Sequence, residues 1–151
     1  MFAKSISTKG GDVFRDEFSV AFDGSNDYIA LNGSFSYTTH SISTWVKFAD
    51  DRDANDDGIH LYVSTSEQLI YQVNAVDGHY TQSIAPNVWH HVVATNDGTT
   101  SKIYLNGDLV ETANTSSTTI DVSGAEARIG ARSHTSASNY YQGNISELAF
   151  Y

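Results

Sequence analysis

Cysteine is absent from the 151-residue chain. Disulfides, thiolate metal sites and cysteine nucleophiles are therefore excluded, while the redox compartment stays open. Basic residues are scarce: 8 Lys and Arg stand against 18 Asp and Glu, a formal net charge of −10. Nucleic acid is not an expected partner, because phosphate binding draws on clustered cations, and an anionic membrane surface is disfavoured for the same reason; no membrane insertion is expected either. No apolar run approaches the ~20 residues that cross a bilayer. The opening "MFAKSISTKGGDVF" lacks the apolar core of a secretory signal. The expected location is a virion surface or the extracellular space, reached without a cleaved signal peptide, so the sequons at Asn32, Asn114 and Asn144 carry little weight. Strings of catalytic residues are missing too: there is no Gly-x-Ser-x-Gly elbow, no phosphate-binding glycine loop and no Cys/His pair.

What the chain has is β-forming sequence. Proline occurs once, at Pro86, and the chain is rich in Ser, Thr, Tyr and Val, with no long helical apolar period. Strands are expected at 18–22, 27–31, 41–48, 59–64, 68–74, 79–83, 89–95, 101–105, 109–113, 127–131 and 144–151. Along "SISTWVKF" a period of two sets Ile42, Thr44, Val46 and Phe48 on one face and Ser43, Trp45 and Lys47 on the other. Asn106-Gly107 supplies the two positive-φ residues of a type I′ hairpin turn. Many short strands with turn signals between them describe an all-β sandwich, one domain over 18–151 preceded by an arm over 1–17.

The order of "FDGSNDYIAL", "SISTWVKF", "WHHVVATNDGTTSKIYLNGDLV", "RIGA" and "YQGNISELAFY" resembles the laminin-G-like modules of the concanavalin A-like lectin/glucanase superfamily. The resemblance covers about 18–151. It implies a jelly-roll of two antiparallel sheets and a role in binding glycans or proteins. It also implies a structural-metal ligand at Asp23 and a core aromatic at Tyr141. Where many relatives carry Asp before the Glu of the last strand, this chain has Ser146-Glu147, which puts a metal ligand there in doubt.

Five carboxylates crowd "DDRDANDDGIH": Asp50, Asp51, Asp53, Asp56 and Asp57. Asp53, Asn55, Asp57, Gly58 and the Ile59 carbonyl reproduce the first half of a calcium loop, with oxygen ligands at alternate positions and a glycine for the sharp turn. The twelfth position is Ser64 rather than a bidentate Glu, and no helices flank the loop. Two readings stand, a calcium site whose closing ligands come from elsewhere and a solvated loop tip.

His90 and His91 are adjacent on a strand, so they point to opposite faces and cannot chelate one ion together. A glycosidase needs two carboxylates across the scissile bond. The Glu-x-Asp-x-(x)-Glu string of the glucanase branch is absent, and Glu17, Glu67, Glu111, Glu126 and Glu147 are isolated. The protein is expected not to be an enzyme. For a ligand-binding rim the sequence offers His134, Asn139 and Tyr140 in "RSHTSASNYYQG", and His79 with Tyr80 in "VDGHY". The expectation is a surface-displayed adhesion module, docked through residues 1–17 onto protein neighbours in a larger assembly such as a phage virion. The alternative is a calcium-assisted glycan-binding module.

Overall fold

The computed structural model describes residues 19–31, 36–37, 39–50, 59–73, 77–114, 120–121, 127–131 and 139–151. The arm, the loop carrying Asp53, Asn55 and Asp57, and His134 lie outside them. In chain order the strands are β1 (Val20–Asp23), β2 (Ile29–Leu31), β3 (Ser36–Tyr37), β4 (His40–Asp50), β5 (Ile59–Val63), β6 (Gln68–Val73) and β7 (Asp77–Ser83). They continue with β8 (His90–Asn96), β9 (Thr100–Leu105), β10 (Asp108–Asn114), β11 (Ile120–Asp121), β12 (Ala127–Ile129) and β13 (Gln142–Phe150). Among the described residues there is no helix.

A six-stranded sheet in the order β1-β13-β4-β8-β9-β10 packs against a three-stranded sheet, β5-β6-β7, and the ribbons β2-β12 and β3-β11 complete the set. Every pairing is antiparallel. Long β4 and β13 form the spine of the larger sheet, and β13 returns the end of the chain beside the start of β4. Apolar burial holds the layers together: Ile42, Val46 and Phe48 of β4, Val92 and Ala94 of β8 and Ile103 of β9 meet Val63, Leu69, Tyr71 and Val73 of the smaller sheet.

The period-two reading holds on β4, where Ile42, Thr44, Val46 and Phe48 are buried and Ser41, Ser43, Trp45 and Lys47 are half-buried. On β6 it does not, since Leu69 to Val73 are all buried, as on a central strand covered on both sides. The Asn106-Gly107 turn forms as expected, with φ values of 54° and 95°, and joins β9 to β10. Asn106 adds a cross-strand tie, its Oδ1 accepting the His91 N–H at 2.9 Å.

Candidate functional site

Register defines the outer face of the larger sheet. Ser41, Ser43 and Trp45 of β4 stand opposite Thr95, Val93 and His91 of β8. Thr95 and Val93 in turn face Lys102 and Tyr104 of β9. Tyr151 extends β13 by one pair, exchanging two backbone hydrogen bonds of 2.9 Å with Ser41. One cross-strand row therefore runs Tyr151, Ser41, Thr95, Lys102. Three strand spacings separate its ends, roughly 14 Å at ~4.8 Å each. Tyr104 flanks it on the next row.

A cleft of about 460 Å³ opens along this row, with Ser41 and Thr95 as its floor, Tyr151 on one side and Lys102 and Tyr104 on the other. Tyr151 is 76% exposed, so its ring face is available. Small hydroxyl side chains between two aromatic rings suit a ligand that presents both a flat apolar face and hydroxyl groups. The cleft's carboxylate, Asp97, is engaged by its own turn: Oδ1 accepts from Thr99 N–H at 2.9 Å, Thr99 Oγ1 at 2.9 Å and Thr100 N–H at 2.8 Å. These bonds hold it below the usual carboxylate range, with Lys102 adding a smaller pull.

Further along the outer face the Trp45 ring lies 5.0 Å from His91, whose Nε2 is 3.2 Å from Ser43 Oγ. Lys47 Nζ sits 5.6 Å over the Trp89 ring. Among the residues whose side chains are described, the outward positions of β4, β8 and β9 carry Lys47 and Lys102 and no carboxylate, in a chain of net charge −10.

Under the cleft lies a polar group inside the core. His40 is only 5% exposed, and its Nε2 hydrogen-bonds the Tyr71 hydroxyl across the sandwich. Burial pushes the Tyr71 hydroxyl well above its usual range, against an opposing hydrogen bond from the Asn96 side chain. Burial also lowers His40 to about 4, so its ring is neutral at physiological pH.

His90 is buried, with Nε2–H donating to the Ala85 carbonyl at 2.9 Å, and His91 faces outward, as the alternation requires. Asp23 caps its own turn, accepting from Ser25 N–H at 2.7 Å and Asn26 N–H at 3.3 Å. Among the described residues no three His, Asp or Glu side chains are grouped to hold a metal. Ser146 is buried, and its carbonyl accepts from Thr44 Oγ1 at 3.1 Å. Tyr141 is half-buried rather than fully enclosed, packing edge-on to Phe22 at 6.0 Å.

Asn139 and Tyr140 precede β13, whereas the cleft lies at its far end, nine strand residues away, so these two do not join the cleft. His79 and Tyr80 fall on β7, and Ile59 opens β5. The cleft residues escaped the sequence reading because Tyr151, Ser41, Thr95 and Lys102 come together only through strand order. The one local signal was Trp45 on the outer face of "SISTWVKF".

No individual curated protein sequence matches the chain. Several solved structures share its fold. A native heptameric SAP-like pentraxin from Limulus polyphemus has a TM-score of 0.66 at 17% identity, covering 87% of this chain and 74% of that one. Mouse laminin alpha1 chain domains LG4-5 have a TM-score of 0.64 at 17% identity, covering 87% of this chain and 40% of that one. Domain 4 of AbnA, a GH43 extracellular arabinanase from Geobacillus stearothermophilus, in complex with arabinotriose, has a TM-score of 0.57 at 17% identity, covering 88% and 69%. The fold is the two-sheet jelly-roll of these domains. A laminin-G-like family model described as the concanavalin A-like lectin/glucanases superfamily matches residues 23–151, and the chain belongs to that family.

Proposed function

We propose that the chain is a non-catalytic adhesion module that holds a neutral saccharide chain in the cleft of the larger sheet. Tyr151 and Tyr104 flanking the hydroxyl floor of Ser41 and Thr95 is the observation that carries this reading. Lys102 offsets Asp97, so the cleft suits a ligand without strong charge. The structure of the arabinanase domain bound to arabinotriose supports a saccharide as the first ligand to try. Display on a larger assembly such as a virion, through residues 1–17, is part of the proposal and rests on sequence. So is calcium at Asp53, Asn55, Asp57 and Ile59.

Titration calorimetry with arabinotriose and a panel of neutral oligosaccharides tests the reading. Binding is expected between about 1 mM and 1 μM, that is roughly −4 to −8 kcal/mol. Tyr104→Ala and Tyr151→Ala should each weaken it by more than about 1 kcal/mol, roughly fivefold or greater, at unchanged melting temperature. Binding that survives both substitutions, or a panel with no binder, overturns the proposal.

A further inference from the structure

We infer that His40 is an acid-sensitive latch: its neutral ring holds the end of the last strand, and with it the Tyr151 wall of the cleft, and releases that wall when the ring gains a proton. The inference rests on the proposed function only in calling the cleft a binding site.

The geometry begins with position. His40 is the first residue of β4, directly before Ser41, whose backbone is paired with Tyr151. The His40 ring lies on Phe150, centroids 5.7 Å apart and planes within 4°. The imidazole therefore touches the residue that precedes the cleft wall.

Hydrogen-bond polarity explains why the ring stays neutral. Gly98 N–H donates to Asn96 Oδ1 at 2.6 Å, which leaves the Asn96 amide N–H groups to face the Tyr71 oxygen. The Tyr71 O–H, a better acid than neutral imidazole, then donates to His40 Nε2. By that assignment the ring's own proton sits on Nδ1, which is buried with no hydrogen-bond partner among the described residues. A second proton would have to enter at Nε2, where the tyrosine already donates, and would create a buried cation. Around the ring Tyr71 on β6, Asn96 on β8, Ser101 on β9 and Phe150 on β13 bring no carboxylate. In the cleft outside, Asp97 is spent on its own turn, and Lys102 adds a like charge.

A ring in water titrates near 6.5 and the latched ring near 4. Opening is thus insensitive to pH above about 7 and grows as pH falls through 6.5, with the gain complete only below the latched value. Between pH 7 and pH 5 the open fraction should rise roughly 20-fold on these two values.

Hydrogen exchange on the full chain, without ligand and corrected for intrinsic rates, tests the latch. The Ser41 and Tyr151 amides are expected to open roughly 20-fold more at pH 5 than at pH 7, while the Val92 and Ile103 amides do not. In His40→Gln the rise should vanish, and in the unsubstituted chain an NMR titration of the His40 ring should show it resisting protonation to about pH 4. A flat profile at Ser41 and Tyr151, an equal rise at Val92 and Ile103, or a His40 ring that titrates near 6.5 overturns the latch. None of these outcomes touches saccharide binding, and failure of the glycan panel leaves the exchange result intact.

Discussion

Replacing Gly143 by alanine should be among the most damaging small changes in the protein. Gly143 lies on β13 with φ 146°, directly opposite Phe48 of β4, next to an irregularity in the ladder. A Cβ there would stand 2.1 Å from the Lys47 carbonyl oxygen, 2.7 Å from Phe48 Cα and 3.0 Å from the Lys47 carbonyl carbon. All three obstacles are backbone, so no side chain can swing aside. Relief requires β13 to lift from β4, losing several ladder hydrogen bonds at about 0.5–1.5 kcal/mol each. The strained dihedral adds about 1–3 kcal/mol. A loss of about 3 kcal/mol or more follows, which at a slope of about 1–3 kcal/mol/M lowers the urea midpoint by roughly 1 M or more. Gly107→Ala is the control, because φ there is 95° but nothing lies within 4 Å of the added Cβ. It should cost only the dihedral strain. A Gly143→Ala protein within about 1 kcal/mol of the unsubstituted chain, or no worse than Gly107→Ala, would refute the steric argument.

Phe48→Ala should cost about 3–5 kcal/mol in a denaturant melt, since the ring is 1% exposed in the centre of the core. Leu109→Ser, at a position 52% exposed, should stay within about 0.5 kcal/mol. Burial lowers the folded-state value of His40, so its contribution is intact above pH 6.5 and is lost as pH falls toward about 4. The full shift corresponds to about 3 kcal/mol, and allowing for water at the cleft edge leaves about 2 kcal/mol. Unfolding free energies from urea melts at pH 7 and pH 4.5 should differ by that much more in the unsubstituted chain than in His40→Gln, the carboxylates contributing equally to both. If the loop at Asp53 and Asp57 binds calcium, saturation at 100 times Kd adds about 2.7 kcal/mol. Thermal melts with calcium and with chelator should then differ by several degrees, and Asp53→Ala and Asp57→Ala should each remove the difference.

Local chemistry was legible in the sequence, and long-range placement was not. The period of two along "SISTWVKF" and the Asn106-Gly107 turn each depend on adjacent residues, and both read correctly. The two-residue strands Ser36–Tyr37 and Ile120–Asp121 escaped, because a strand that short carries no period and exists only through its partner. Asn139 and Tyr140 are adjacent and readable within one window of sequence, whereas the cleft gathers Tyr151, Ser41, Thr95 and Lys102 from four strands. Only the order β13-β4-β8-β9 makes those four neighbours, and no window of sequence contains that order. His40 was unreadable for the same reason, since the tyrosine that fixes its tautomer is 31 residues away.

The chain has two tryptophans, and both belong to the outer face of the larger sheet, Trp45 beside His91 and Trp89 under Lys47. Intrinsic tryptophan emission is thus a native reporter of that one surface, while the opposite sheet is spectroscopically silent at those wavelengths. A ligand or neighbouring protein that settles on this face announces itself without any label.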